Sequence, residues 1–444
     1  MDFPNVSPTR DARTGIVTLD NEPMVFHCNH YNRFLQLVVE DCHYIKREPI
    51  LTQSATDVAR RQLTAHFTAQ PELTRAERLA YAQAVYQYCG FGQLPLADLP
   101  AAQQGYQLVE THSHYGQALR LNYGKRGWPG EFFDLGYALG ALAAVDNQNF
   151  GGKIFDEAIS MGFEATTLHL TPTENTLTPC PVIAQPPLPP EADCIPERQI
   201  GLHIDEAGII AAVAGLPLFG NSEGLIPAFG VNLTRHYADY YNLVSFRFER
   251  ALEQALSTHR YLGEMLWYEY PSLFFYKDKF SHLQGRELAS TLLVEAGHIC
   301  GFNTMGGIMR SDAWYELIAP QCQDKNDWLV GIVACINALG WGVWRIFELI
   351  PNERLVIRAW HPYESLGHLR HFGTADHPID YLMVGIASSL MNLLYNADIT
   401  TKPDLTLAFY YQVNRSKQGF WGRQTACVAM GDAYSEVVVE RAVL

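Results

Sequence analysis

Ile159-Ser160-Met161-Gly162 and Val428-Ala429-Met430-Gly431 are one phrase written twice, and what precedes each copy decides the fold. Before the first stands the glycine-containing apolar run 136–145, and before the second the similar run 385–394. Further back, Gly90-Phe91-Gly92 leads to 109–115, while Gly340-Trp341-Gly342 leads to 357–363. Earlier still, Asn29-His30-Tyr31-Asn32 is answered by Asp239-Tyr240-Tyr241-Asn242. Four landmarks in one order indicate an internal duplication. The first copy is read as 1–171, a connector as 172–199 and the second copy as 200–444.

The connector holds eight prolines between Pro172 and Pro196, a density that prevents helix or interior strand and favours an extended spacer. Two independently compact copies are therefore expected. Helical spacing is read at 55–66, 74–88 and 131–145, and alternation near 105–123 and 163–170 reads as strand. Gly136 and Gly140 lie one helical turn apart and allow another backbone to approach closely.

Composition sets bounds. Of 444 residues, 48 % are hydrophobic, 12 % aromatic and only 18 % charged, which implies a large core and a subunit interface. A homodimer is the expectation. The net charge of −15 excludes nucleic acid and anionic membranes as partners, since both need clustered Lys and Arg. No signal peptide is visible, and the most apolar stretch, 328–344, is broken by Asn337 and glycines; a cytoplasmic protein without a membrane span is expected. Nine scattered cysteines without a CxxC pair do not form a disulfide framework.

The order of helices, Gly-aromatic-Gly, strand pair, glycine-containing helix and Cys427-Val428-Ala429-Met430-Gly431-Asp432 resembles the 4-vinyl reductase-like, or hydrocarbon-binding, domain. The resemblance implies an α/β (α+β) fold of two pseudo-symmetric domains, each an antiparallel sheet packed against helices. It also implies a pocket for a small aromatic or hydrocarbon-like molecule. Zinc-binding members carry two cysteines around the Met-Gly turn and an acidic residue upstream. Here the positions are Cys427 and Ser435 in the second copy, and Ala158 and Thr166 in the first, so that zinc site is expected to be missing. Regulators built on this domain also carry an ATPase module, and no GxxxxGK[ST] loop or other nucleotide cofactor motif occurs.

Histidines mark the first copy instead. On a strand over 109–115, Glu110, His112 and His114 share a face; on a helix, His27 and His30 do. The answering positions Tyr237, Tyr240, Arg358, Trp360 and Pro362 are not histidines. His27, His30, His112 and His114 are read as ligands of a divalent metal, iron ahead of zinc, with Glu110 and His112 as catalytic residues, Glu110 serving as ligand or base. Phe26, Tyr31, Tyr115 and Phe132 are read as pocket walls. The leading expectation is a metal-dependent enzyme, of oxidoreductase type, acting on a small apolar or aromatic molecule. The alternative is a non-catalytic binding or carrier protein with the same pocket. Glu295 and His298, the 361–377 histidines (an exposed loop) and Glu249 with Glu253 (a solvated face) are assigned no chemistry.

Overall fold

The computed structural model describes residues 3, 5–100, 104–155, 157–174, 179–269, 284–416 and 418–441. The chain is a mixed α/β protein with three antiparallel sheets among the described residues. In the first half the order is β1 (Thr9–Arg10), β2 (Val17–Leu19), β3 (Glu22–Cys28), α1 (Asn29–Glu40), α2 (Glu48–Ala69), α3 (Arg75–Tyr88), β4 (Tyr106–Glu110), α4 (His114–Tyr123), α5 (Phe132–Asp146), β5 (Phe150–Ile154) and β6 (Thr166–Pro172). The second half follows with α6 (Glu206–Ala214), β7 (Ile226–Ala228), β8 (Val231–Tyr237), α7 (Ala238–Glu269), α8 (Gly285–Cys300), α9 (Gly306–Arg310), α10 (Asp312–Leu317) and α11 (Lys325–Ala338). It ends with β9 (Val343–Ile350), β10 (Arg354–Trp360), α12 (Tyr363–Phe372), α13 (Tyr381–Met391), α14 (Leu407–Asn414), β11 (Phe420–Ala426) and β12 (Ser435–Arg441).

β4, β6 and β5 make one sheet and β11, β12, β10 and β9 another; the third runs β1-β2-β3-β8-β7 and takes strands from both halves. This sheet overturns the expectation of two independently compact copies. Both hairpins pair alike: Val17↔Met24 answers Ile226↔Leu233, and Leu19↔Glu22 answers Ala228↔Val231. The same spacing makes Phe26 the equivalent of Arg235 and His27 the equivalent of His236, one residue off the sequence-based alignment. Phe26 also pairs with Arg235 in the ladder, so the pseudo-two-fold axis passes between them. The second copy therefore does carry a matching histidine.

The glycine pair of α5 packs against α2 of its own half, where a Cβ on Gly136 would lie 2.4 Å from Thr52 O and one on Gly140 2.6 Å from Thr56 O. That face is filled and offers no surface to a second copy. Residues 114–123, read as strand, are helical because Ser113 caps α4, its Oγ accepting from Gly116 N.

The halves are also tied by buried charge. Asp239, at the start of α7, accepts from Arg61 at 2.9 Å and pairs with Arg370 at 2.9 Å and His371 at 2.7 Å, while Arg61 also binds Glu22. The connector is pinned over this cluster: Ile183 N donates to Arg370 O, Cys180 N to Asp57 Oδ2, and His371 Nδ1 lies 3.2 Å from Pro181 O. His371 is thus buried and ion-paired, not in an exposed loop. Glu249 is likewise buried against Tyr381 and His377 rather than solvated.

Burial lowers the His371 pKa, but hydrogen bonds to Asp239 and Cys180 together with the Asp239 charge outweigh it and raise it to about 9. Its contribution is therefore complete below the ordinary imidazole pKa and is lost as pH rises through about 9. Wild type should exceed His371→Gln by on the order of 2 kcal/mol at pH 6, with the gap closing by pH 9.5. Urea unfolding across that range checks this; a gap constant with pH would refute it.

Candidate functional site

Strand alternation sends β3 and β8 side chains to opposite faces of the shared sheet. His27 and His236 take the inner face. Each is fully buried, and burial holds both imidazoles well below their usual pKa, hence neutral. Each sits in an aromatic box completed by the other half. His27 stacks on Tyr31 at 4.3 Å and Trp341 at 4.9 Å, with Tyr363 Oη 3.2 Å from Nε2 and Cys300 Sγ 3.5 Å from Nδ1. His236 stacks on Tyr240 at 4.7 Å and meets Phe91 edge-on at 4.8 Å, with Tyr115 Oη 3.0 Å from Nε2. The exchange is reciprocal, first-half histidine to second-half tyrosine and the reverse.

The four proposed ligands do not converge. His114 is buried, its pKa lowered to about 3 by burial, and its Nε2 lies 3.0 Å from the Asn32 amide. His112 points outward beside Gln93 (3.1 Å) and Glu223 (3.9 Å). His30 lines an open cleft with Asn303, Arg310 and Asp312, and burial lowers its pKa to about 4. Two local facts separate them. β4 ends at Glu110, so strand alternation does not extend to His112 and His114, and His27 lies within β3 whereas His30 lies in the first turn of α1. Among the described residues no three His, Cys, Asp or Glu side chains are grouped to hold an ion. The donor set does not fit a shared metal.

Glu110 is fully buried beside Asp134, with the Tyr86 hydroxyl 2.7 Å from Glu110 and 2.8 Å from Asp134. Burial raises Asp134 to about 7 and holds Glu110 well above the carboxylate range. Glu110, in the buried carboxylate pair, and His112, on the outer side beside Gln93 and Glu223, thus lie in different surroundings. The pocket walls are dispersed too. Tyr31 and Tyr115 belong to the two histidine boxes, Phe132 lies under Arg47 at 5.4 Å, and Phe26 faces the opposite side of the sheet.

At the Met-Gly turns the structure shows the acidic residues that sequence reasoning left unnumbered. Glu131 accepts from Gly130 N, Ser160 N and Ser160 Oγ at 2.7–2.9 Å, and from Thr166 at 3.3 Å. Asp380 accepts from Ser365, Gln424 and Ser435, with Cys427 Sγ at 3.6 Å. Hydroxyl and amide donors satisfy each carboxylate, so neither turn fits a zinc ion.

The outer face holds the cleft that sequence reasoning missed. About 350 Å³ in volume, it has the pseudo-dyad pair Phe26 and Arg235 on its floor. The N-terminal segment 6–10 and the segment 213–219 form its rims, and Tyr88 and Leu339 complete its sides. The Arg235 guanidinium stacks 4.3 Å over the Phe26 ring and 5.7 Å from Tyr88. A desolvated cation–π contact contributes about 2 kcal/mol, less than burying an unpaired guanidinium costs. Burial accordingly lowers the Arg235 pKa.

No protein-family model and no curated protein matches this chain. Among solved structures, it is similar to the crystal structure of the phenol-responsive sensory domain of the transcription activator PoxR with phenol, at 13% identity and a TM-score of 0.32. The match covers 38% of this chain and 87% of that one. Phenol is the ligand of that protein. No helix among the described residues is long and apolar enough to cross a membrane.

Proposed function

We propose that this chain is a small-molecule-binding protein whose ligand seats in the cleft on the outer face of the shared sheet. The observation that carries the reading is the cleft itself: a concave, aromatic-walled site built by both halves around Phe26 and Arg235. Among the described residues its lining includes Ser7 and Thr9 but no histidine, carboxylate or thiol, which favours binding over acid–base or nucleophilic catalysis. The metal-dependent reading loses its support because its ligands are not brought together.

Ligand-observed NMR with 2-naphthol and 2-naphthoate tests the reading. Saturable binding of at least one probe is expected, weakened about tenfold or more by Val213→Trp, which fills the cleft from α6. Binding unaffected by that substitution would place the ligand elsewhere and overturn the proposal.

A further inference from the structure

We propose that the natural ligand of this cleft is an apolar or aromatic carboxylate, its anionic group paired with Arg235 and Arg10. The inference rests on the binding role argued above and specifies the ligand's charge.

Both arginines line the cleft, and among the described residues lining it no side chain is acidic; the charge of Asp11, next in sequence, acts on Arg10. Arg235 is largely enclosed, its Nε is buried without a hydrogen-bond partner, and it makes no ion pair among the described residues. Arg10 donates one Nη to Asn337 O at 2.9 Å and likewise has a buried Nε without a partner. Arg33 is also enclosed, with buried Nε and Nη1 lacking partners among the described residues, whereas further enclosed arginines are paired with carboxylates. Arg61 binds Glu22 and Asp239, Arg126 binds Glu40, Arg247 binds Asp57, and Arg370 binds Asp239.

Nor are acids scarce, since Asp and Glu number 47 against 32 Lys and Arg. In a chain with such a surplus, two arginines facing one cleft without a carboxylate form an incomplete charge set. A ligand that brings its own carboxylate completes it, because guanidinium and carboxylate match in geometry and charge. The walls specify the remainder. Phe26, Tyr88, Phe219, Leu216 and Leu339 surround the arginines with apolar and aromatic surface, and the volume of about 350 Å³ suits a molecule of one or two rings or a short acyl chain.

The geometry also explains why the site is single. Phe26 and Arg235 are equivalent positions on the pseudo-dyad, so a symmetric pair would carry two rings or two cations there. Divergence of one to arginine leaves a cation resting on a ring at the dyad, with Arg10 adding a second charge from one side only.

The test compares 2-naphthoate with its neutral isostere 2-naphthamide by calorimetry on the full chain at low salt. Wild type should bind the acid about tenfold or more tightly than the amide, with the preference weakening as salt rises. Arg235→Met should abolish the preference, and Arg235→Lys should keep part of it. Arg10→Met, at the rim and outside the histidine boxes, should reduce the preference and serves as the test if Arg235→Met does not fold. Equal affinity for both probes in wild type, with binding still blocked by Val213→Trp, would overturn the anion assignment and leave the binding role standing. Saturable binding of neither probe would overturn both.

Discussion

Replacement of Asp239 by Ala is expected to destabilise the protein by about 3–5 kcal/mol, the cost of removing one partner from a buried ion cluster. Asp239 is 1% exposed and faces Arg61, Arg370 and His371 together. Truncation leaves Arg61 and Arg370 to Glu22 and removes the carboxylate that His371 pairs with. The cluster joins α2 and β3 of the first half to α7 and α12 of the second, so the loss should appear as one cooperative shift rather than as unfolding of a single half. Guanidinium unfolding followed by near- and far-UV circular dichroism checks this. Asp239→Asn should fall between wild type and Ala, and a loss below about 1 kcal/mol for Ala would show that solvent reaches the cluster.

The second large effect belongs to Gly385→Val, expected to cost about 3 kcal/mol by overpacking. A Cβ there would lie 2.3 Å from Val294 O and 2.6 Å from His298 N, and one on Gly297 would lie 2.7 Å from Leu382 O. These neighbours are backbone, so α13 and α8 must separate rather than repack a side chain. Gly127→Val, where nothing lies within 4 Å, is the matched control and should change the thermal midpoint little. A Gly385 variant as stable as the control would refute the close approach.

Sequence reading reached the helices and the glycine contacts because both are local. Alternation and apolar spacing place α5 at 132–146, where 131–145 was read, and α3 at 75–88, where 74–88 was read. α4 was misread because the pattern Glu110, His112, His114 mimics strand alternation. The helical spacing of Tyr115, Ala118 and Leu119 after the cap Ser113 was the contrary signal. The histidines misled for a related reason. A histidine pattern reports that imidazoles are present, not which way they point, and here phenols, an amide and solvent receive them separately.

By itself the sequence determined that two similar units follow one another and where several helices lie, because repeats, periodicity and turn glycines are written in neighbouring residues, while antiparallel sheets packed on helices came from the family resemblance. Only the tertiary structure decided that the units share a sheet, since strand pairing between β3 and β8 is a contact between residues some two hundred positions apart. That pairing turns His27 and His236 inward to the other half's tyrosines and turns Phe26 and Arg235 outward to form the floor of one cleft. An arginine on a strand is ordinarily a surface residue. What makes Arg235 different is the aromatic and apolar surroundings brought to it from residues 6–10, 88, 213–219 and 339, and these surroundings exist only when the chain is folded.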